Sequence, residues 1–183
     1  METALLVQLL NHPRRIWTLI LAACLGLLSF GMYLQHGVGL VPCPMCIVQR
    51  YVMVLMALVA LVGVLLPSRQ ASLWVGSGSV LLGAGGAYVA ARQTWLQWYP
   101  PEFASCGRDF YGMIETFPLQ RAIPMIFKGS GDCTKVDWTF LGGSIANWSF
   151  VAFVGLGLLA LATTVQAWRA SALATPAQAV DEV

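Results

Sequence analysis

The sequence predicts an all-α membrane protein, a four-transmembrane-helix bundle with one short and one long loop on the same side. Three observations carry this. Of the 183 residues, 58% are hydrophobic and only 10% are charged, and the mean hydropathy of +0.72 lies outside the range of soluble domains. Four apolar runs each approach the ~20 residues that a spanning helix requires. Polar and proline residues gather between the runs, above all from residue 93 to residue 144. The whole chain, 1–183, is expected to form a single membrane domain.

The first span is expected at 16–34, after the basic His12-Pro13-Arg14-Arg15. A basic start before an apolar run also marks signal peptides, and Leu21-Ala22-Ala23-Cys24 looks like a lipoprotein cleavage box. The run continues past Cys24 without a polar linker, which favours a retained span with Cys24 as an inert packing residue. A short loop, 35–45, leads to Cys43-Pro44-Met45-Cys46, and the second span, 46–66, begins at that motif. Pro67-Ser68-Arg69-Gln70 makes a tight turn into the third span, 72–91, where Ser79, Gly83 and Ala87 recur at intervals of four. Such a stripe of small residues lets helices approach closely. The long loop, 93–144, contains Trp95, Trp98, Cys106, Pro118, Pro124, Cys133 and Trp138. Its prolines forbid one long helix, and its aromatics belong at headgroup level. The fourth span, 145–168, is closed by Trp168-Arg169, and the Ala-rich tail, 170–183, reads as disordered.

A net charge of +2 without any long Lys/Arg run speaks against a nucleic-acid partner. Arg14, Arg15, Arg69 and Arg169 fall at the ends and turn that the positive-inside rule assigns to the cytoplasm, and the short loop opposite carries no Lys or Arg. Both termini are therefore expected to be cytoplasmic. Four of the five cysteines lie outside the apolar cores and on the opposite side. Thiols there suit an oxidising face, the periplasm in a bacterium.

The chemistry centres on the Cys-x-x-Cys. Its sulfurs stand three residues apart at the start of a helix, within reach of a disulfide and near the helix's positive end, where thiols ionise readily. Arg50 lies four residues beyond Cys46, one turn deeper on the same face. A permanent charge at the edge of the hydrocarbon layer marks a functional residue. Two cysteine pairs on one face, one local and one in the long loop, allow a relay in which each disulfide oxidises the next dithiol, because exchange proceeds by thiolate attack on a disulfide sulfur. At the membrane surface, a lipid-soluble quinone suits as the final two-electron acceptor, its reduced anionic forms stabilised by Arg50.

Three groups of residues resemble the DsbB family of bacterial inner-membrane disulfide-forming proteins. They are Cys43-Pro-Met-Cys46 with Arg50, then Gln97-Trp98-Tyr99-Pro100 leading through Phe103-Ala104-Ser105 to Cys106, and Gly131-Asp132-Cys133 with Trp138, Phe140-Leu141-Gly142 and Trp148. The resemblance covers nearly the whole chain. It implies a multi-pass inner-membrane thiol oxidase with redox-active disulfides Cys43–Cys46 and Cys106–Cys133 on the periplasmic side. By that likeness Cys106 receives the attack of a reduced DsbA-like thioredoxin-fold protein, Cys133 then links to Cys43, and the freed Cys46 thiolate meets ubiquinone or menaquinone beside Arg50. Some members have a histidine near the quinone where this chain has Gln93, next to Arg92; both are candidate quinone-side residues.

Other readings compete. Cys106 and Cys133 as a simple loop staple would contribute ~3 to 4 kcal/mol through chain entropy. A metal site would need more thiolates or histidines than His12 and His36 supply, with His12 on the other side. A quinone-linked reductase resembling the vitamin K epoxide reductase group would place its loop cysteines before the Cys-x-x-Cys, whereas here they follow it. A tetraspan structural protein would leave Arg50 without a purpose.

Overall fold

Helix α1, Pro13–His36, opens on a proline at its first position, where the missing N–H costs nothing. In this computed structural model, residues 13–66, 68–100 and 131–178 are described. Helix α2 runs Pro44–Leu65 and helix α3 runs Arg69–Trp98, capped by the Ser68 hydroxyl, which accepts from the Ala71 N–H at 3.1 Å. A short helix α4, Gly131–Thr134, precedes a two-stranded hairpin, β1 Thr139–Phe140 and β2 Gly143–Ser144, and helix α5 covers Ile145–Gln178. Four of these helices are long and apolar enough to cross a membrane: Pro13–His36, Pro44–Leu65, Arg69–Trp98 and Ile145–Ala170. The architecture is the four-helix membrane bundle the sequence predicts.

Most helix boundaries differ by a few residues from expectation, and three of the differences matter. Helix α2 begins at Pro44, because proline favours a first helical position and leaves Cys43 free to cap. Helix α3 continues to Trp98, so Gln93 and Gln97 are helical, not part of the loop expected from 93, and Arg92 lies within the same helix. Polar residues there break the hydropathy but not the backbone pattern, since glutamine is a good helix former. The segment expected to be disordered from 170 is helical as far as Gln178, in keeping with its alanines.

The helices pack α1 on α2, α2 on α3 and, most extensively, α3 on α5, whereas α1 and α5 touch lightly. Trp17, Ile20 and Cys24 of α1, Met53 and Met56 of α2 and Phe153 of α5 share one buried core. In lipid, helix association depends on close packing more than on expulsion of water, and small residues permit it. Gly83 lies against Gly157, and a Cβ at Gly86 would stand 2.5 Å from the ring of the fully buried Phe153. Gly86→Ala is therefore expected to destabilise the bundle by about 1–3 kcal/mol. Gly85→Ala, where a Cβ meets open space, should be neutral. Thermal unfolding in detergent distinguishes the two; equal midpoints would contradict the packing.

The hairpin shapes the end of the bundle that carries the cysteines. Thr139 pairs with Ser144 and Phe140 with Gly143, and the turn residues Leu141 and Gly142 have φ of 49° and 79°. Positive φ at both central positions suits the right-handed twist of a two-residue hairpin. Trp148 of α5 donates its indole N–H to the Phe140 carbonyl at 2.9 Å, and Trp138 stacks on Phe140 with centroids 6.1 Å apart. Phe30 of α1 meets the Trp138 edge at 5.8 Å. This aromatic row bridges the lightly packed gap between α1 and α5.

Candidate functional site

Cys43 is the N-cap of α2, with φ −76° and ψ 162°, and its sulfur accepts from the Cys46 N–H at 3.4 Å. One of the orphan N–H groups at the helix start is thus satisfied by sulfur. The cap geometry brings the two side chains together: the Cys43 thiol donates to Cys46 Sγ at 3.1 Å. Pro44 and Met45 are fully buried beneath them.

Cys133, on α4, is only 1% exposed and packs with Cys43, Met45, Val89 and Leu96. It is hydrogen-bonded to Cys43. Cys43 therefore keeps company with both Cys46 and Cys133. Its thiol is pushed far above the ordinary range, first by the hydrogen bond with Cys133, then by that with Cys46 and by burial. Cys106 lies outside the described residues, and so does any contact between it and Cys133.

Gln93 of α3 completes the sulfur cluster. Its NH2 group donates to Cys43 Sγ at 3.3 Å and to Cys46 Sγ at 3.2 Å, and its oxygen accepts from Gln49 Nε2 at 2.7 Å. Arg50 is turned toward α1. Its guanidinium donates to the Gln35 side-chain oxygen and, at 3.1 Å, to the Gly31 carbonyl. Arg50 and Cys46 line one cavity of about 580 Å³, together with Gln49 and Gln93. Its remaining walls are mostly apolar, from α1, α2, α5 and the aromatic row. Arg92, one residue before Gln93 and roughly 100° around the helix, is not among the residues lining it.

Gln35 and Gln49 belong to this site although the sequence assigns them no role, and so does Gln97, which the sequence marks only as part of the Gln97-Trp98-Tyr99-Pro100 group. Gln49 carried a signal, being a polar residue in an apolar run three positions from Cys46. Gln97 follows Gln93 by one turn and accepts from the Ser144 hydroxyl at 2.6 Å, while its own NH2 reaches the Lys135 carbonyl at 3.4 Å. These bonds tie the end of α3 to the segment that follows Cys133. Gln35 pairs with Arg50 across fifteen positions, a contact that no local spacing reveals.

A spanning bundle that gathers a Cys-x-x-Cys, a third cysteine and a mostly apolar cavity lined also by Arg50 and several glutamines has the build of a membrane thiol–disulfide oxidoreductase. The chain belongs to the DsbB family: the family described as "Disulfide bond formation protein DsbB" matches residues 13–163. It is 69% identical over 156 residues to the Disulfide bond formation protein B of Polaromonas naphthalenivorans (strain CJ2), covering 85% of this chain and 93% of that one. It is 65% identical over 161 residues to that of Albidiferax ferrireducens, covering 87% and 90%. The corresponding protein of Azoarcus sp. (strain BH72) is 50% identical over 157 residues, covering 85% and 95%.

Proposed function

We propose that this protein reoxidises a periplasmic DsbA-like dithiol protein by disulfide relay and passes the electrons to a membrane quinone. The observation that carries the reading is the position of Cys43, hydrogen-bonded to Cys46 at 3.1 Å and packed in one buried cluster with Cys133. That arrangement suits exchange in either direction. A thiolate of the reduced partner attacks Cys106 of the Cys106–Cys133 disulfide, and Cys133 leaves as a thiolate. Cys133 attacks Cys43 of the Cys43–Cys46 disulfide, and Cys46 leaves as the next thiolate. The partner's second cysteine resolves its mixed disulfide with Cys106, and Cys106 then recovers Cys133 from Cys43. Two electrons and two protons remain to leave Cys43 and Cys46 as their disulfide re-forms.

The cavity beside Cys46 suits an apolar ring with carbonyl oxygens: its walls are mostly apolar, and Arg50, which lines it, keeps N–H donors beyond those given to Gln35 and Gly31. A quinone, ubiquinone or menaquinone, supplies the two-electron acceptor when bound there. Arg50, held by Gln35 and Gly31, keeps further N–H donors for a developing negative charge. Arg92 remains a candidate for the quinone side only through its place next to Gln93. The family and the charge bias of the loops support an inner-membrane location with the cysteines periplasmic and both termini cytoplasmic.

Spheroplasts expose the periplasmic face, so a reduced thioredoxin-fold partner added outside should be oxidised, in a quinone-dependent manner, without permeabilisation. A partner lacking its resolving cysteine should accumulate as a mixed disulfide on Cys106, and Cys106→Ser should abolish that adduct. Activity that appears only after the membrane is opened would overturn the orientation; trapping on Cys43 would reverse the relay.

A further inference from the structure

Gln49 and Gln93 are 5% and 3% exposed, two amides in the buried end of the bundle, and the relay makes no use of Gln49. Burying an amide costs free energy unless its hydrogen bonds are made; Gln93 makes its own to the redox pair, and Gln49 donates to Gln93. A carboxamide has one acceptor oxygen and one NH2 group with two donors. In Gln93 the two N–H groups serve the two sulfurs, at 3.3 and 3.2 Å, and the oxygen accepts from Gln49 at 2.7 Å. Turned by half a rotation, the same amide would present its oxygen to the sulfurs. An oxygen there suits a thiol but opposes a thiolate, which can only accept. The donor from Gln49 selects between the two orientations.

We infer that Gln49 is a positioning residue of the Cys43–Cys46 pair: by donating to the Gln93 oxygen it holds the Gln93 NH2 group against both sulfurs, so that an anion released on Cys46 meets a donor already in place. Fixed dipoles of this kind need no reorganisation when charge appears. The neutral amides do so without titrating. The thiolate acquires its use in turnover from the proposed relay, but its stabilisation is measurable without turnover.

Among the described residues, the other titratable or charged groups facing Cys46 are Cys43 and Cys133, and around the same cavity Arg50, Lys135 and Asp137. None is altered in the test. Full-length protein is reduced chemically in lipid nanodiscs without quinone or partner, and alkylation of Cys46 by iodoacetamide is followed against pH by mass spectrometry. Gln49→Met, which keeps the volume and loses the amide, should raise the midpoint by roughly one pH unit, the scale of one hydrogen bond to a charged group. Gln93→Met should raise it at least as much. The double variant should rise no further than Gln93→Met alone, because Gln49 acts only through Gln93. Gln49→Leu carries the same test if Gln49→Met does not assemble: without a donor at 49 the Gln93 amide is free to turn, and the midpoint should rise to a similar extent. An unchanged midpoint in both Gln49 variants, or additive shifts in the double variant, overturns the inference. Failure of the relay shows separately, as wild-type protein that oxidises no partner while these shifts stand.

Discussion

Replacing Cys133 with serine is expected to stop oxidation of a protein partner completely while sparing the bundle and the Cys43–Cys46 pair. The exchange of electrons between disulfides is covalent and needs sulfur meeting sulfur, so each step depends on one particular contact. Cys133 is the loop cysteine that packs on Cys43, held there by α4 and the surrounding Met45, Val89 and Leu96. Serine nearly preserves its volume, and a hydroxyl can still donate to the Cys43 sulfur, so the local packing should persist. A small dithiol such as dithiothreitol can reach the Cys43–Cys46 disulfide without the loop. The Cys133→Ser protein should therefore still couple dithiothreitol oxidation to quinone reduction, while the rate with a thioredoxin-fold partner falls to background. Undiminished oxidation of the protein partner would mean that it attacks Cys43 directly, and the loop pair would revert to a staple.

The sequence makes the spans legible for a simple reason. Hydrocarbon excludes charge over a fixed thickness, so the four apolar runs have nowhere else to go. The Cys-x-x-Cys is legible because both of its cysteines and its helix start lie within one turn. What escapes are contacts made between helices. Gln93 looks like the first residue of a loop because its neighbours are polar, yet those neighbours divide by face: Gln93 is buried against the sulfurs, while Trp95 and Trp98 are 56% and 66% exposed on the outer side. Helical periodicity carried through the polar end of α3 would have placed Gln93 and Gln97 on one face toward the site. The pairing of Cys133 with Cys43 is of another kind. Ninety positions separate them along the chain, and only the docking of α4 on α3 brings them together.

Arg50→Met is the second substitution with a large expected effect, and it falls on the other half of the reaction. Sequence spacing places Arg50 one turn from Cys46, and the fold then aims it along the cavity wall toward α1, where Gln35 and the Gly31 carbonyl hold the guanidinium. A planar group pinned along one edge presents its remaining N–H donors in a fixed direction, which a lysine ammonium cannot reproduce. Methionine keeps much of the apolar stem and removes the charge. With a hydrogen bond to a charged group contributing about 1.5–3 kcal/mol, loss of one such bond should raise the quinone concentration for half-maximal rate roughly ten- to a hundredfold. Arg50→Lys should fall between. Formation of the mixed disulfide on Cys106 should be unaffected in both, because that step involves no charge at the cavity. The measurement is a quinone titration at saturating reduced partner, with Arg92→Met as the comparison. Arg92 does not line the cavity, so its loss should leave the titration unchanged. If Arg50→Met titrates like wild type and Arg92→Met does not, the acceptor binds against the outer face of α3, and the cavity between α1 and α5 has another use.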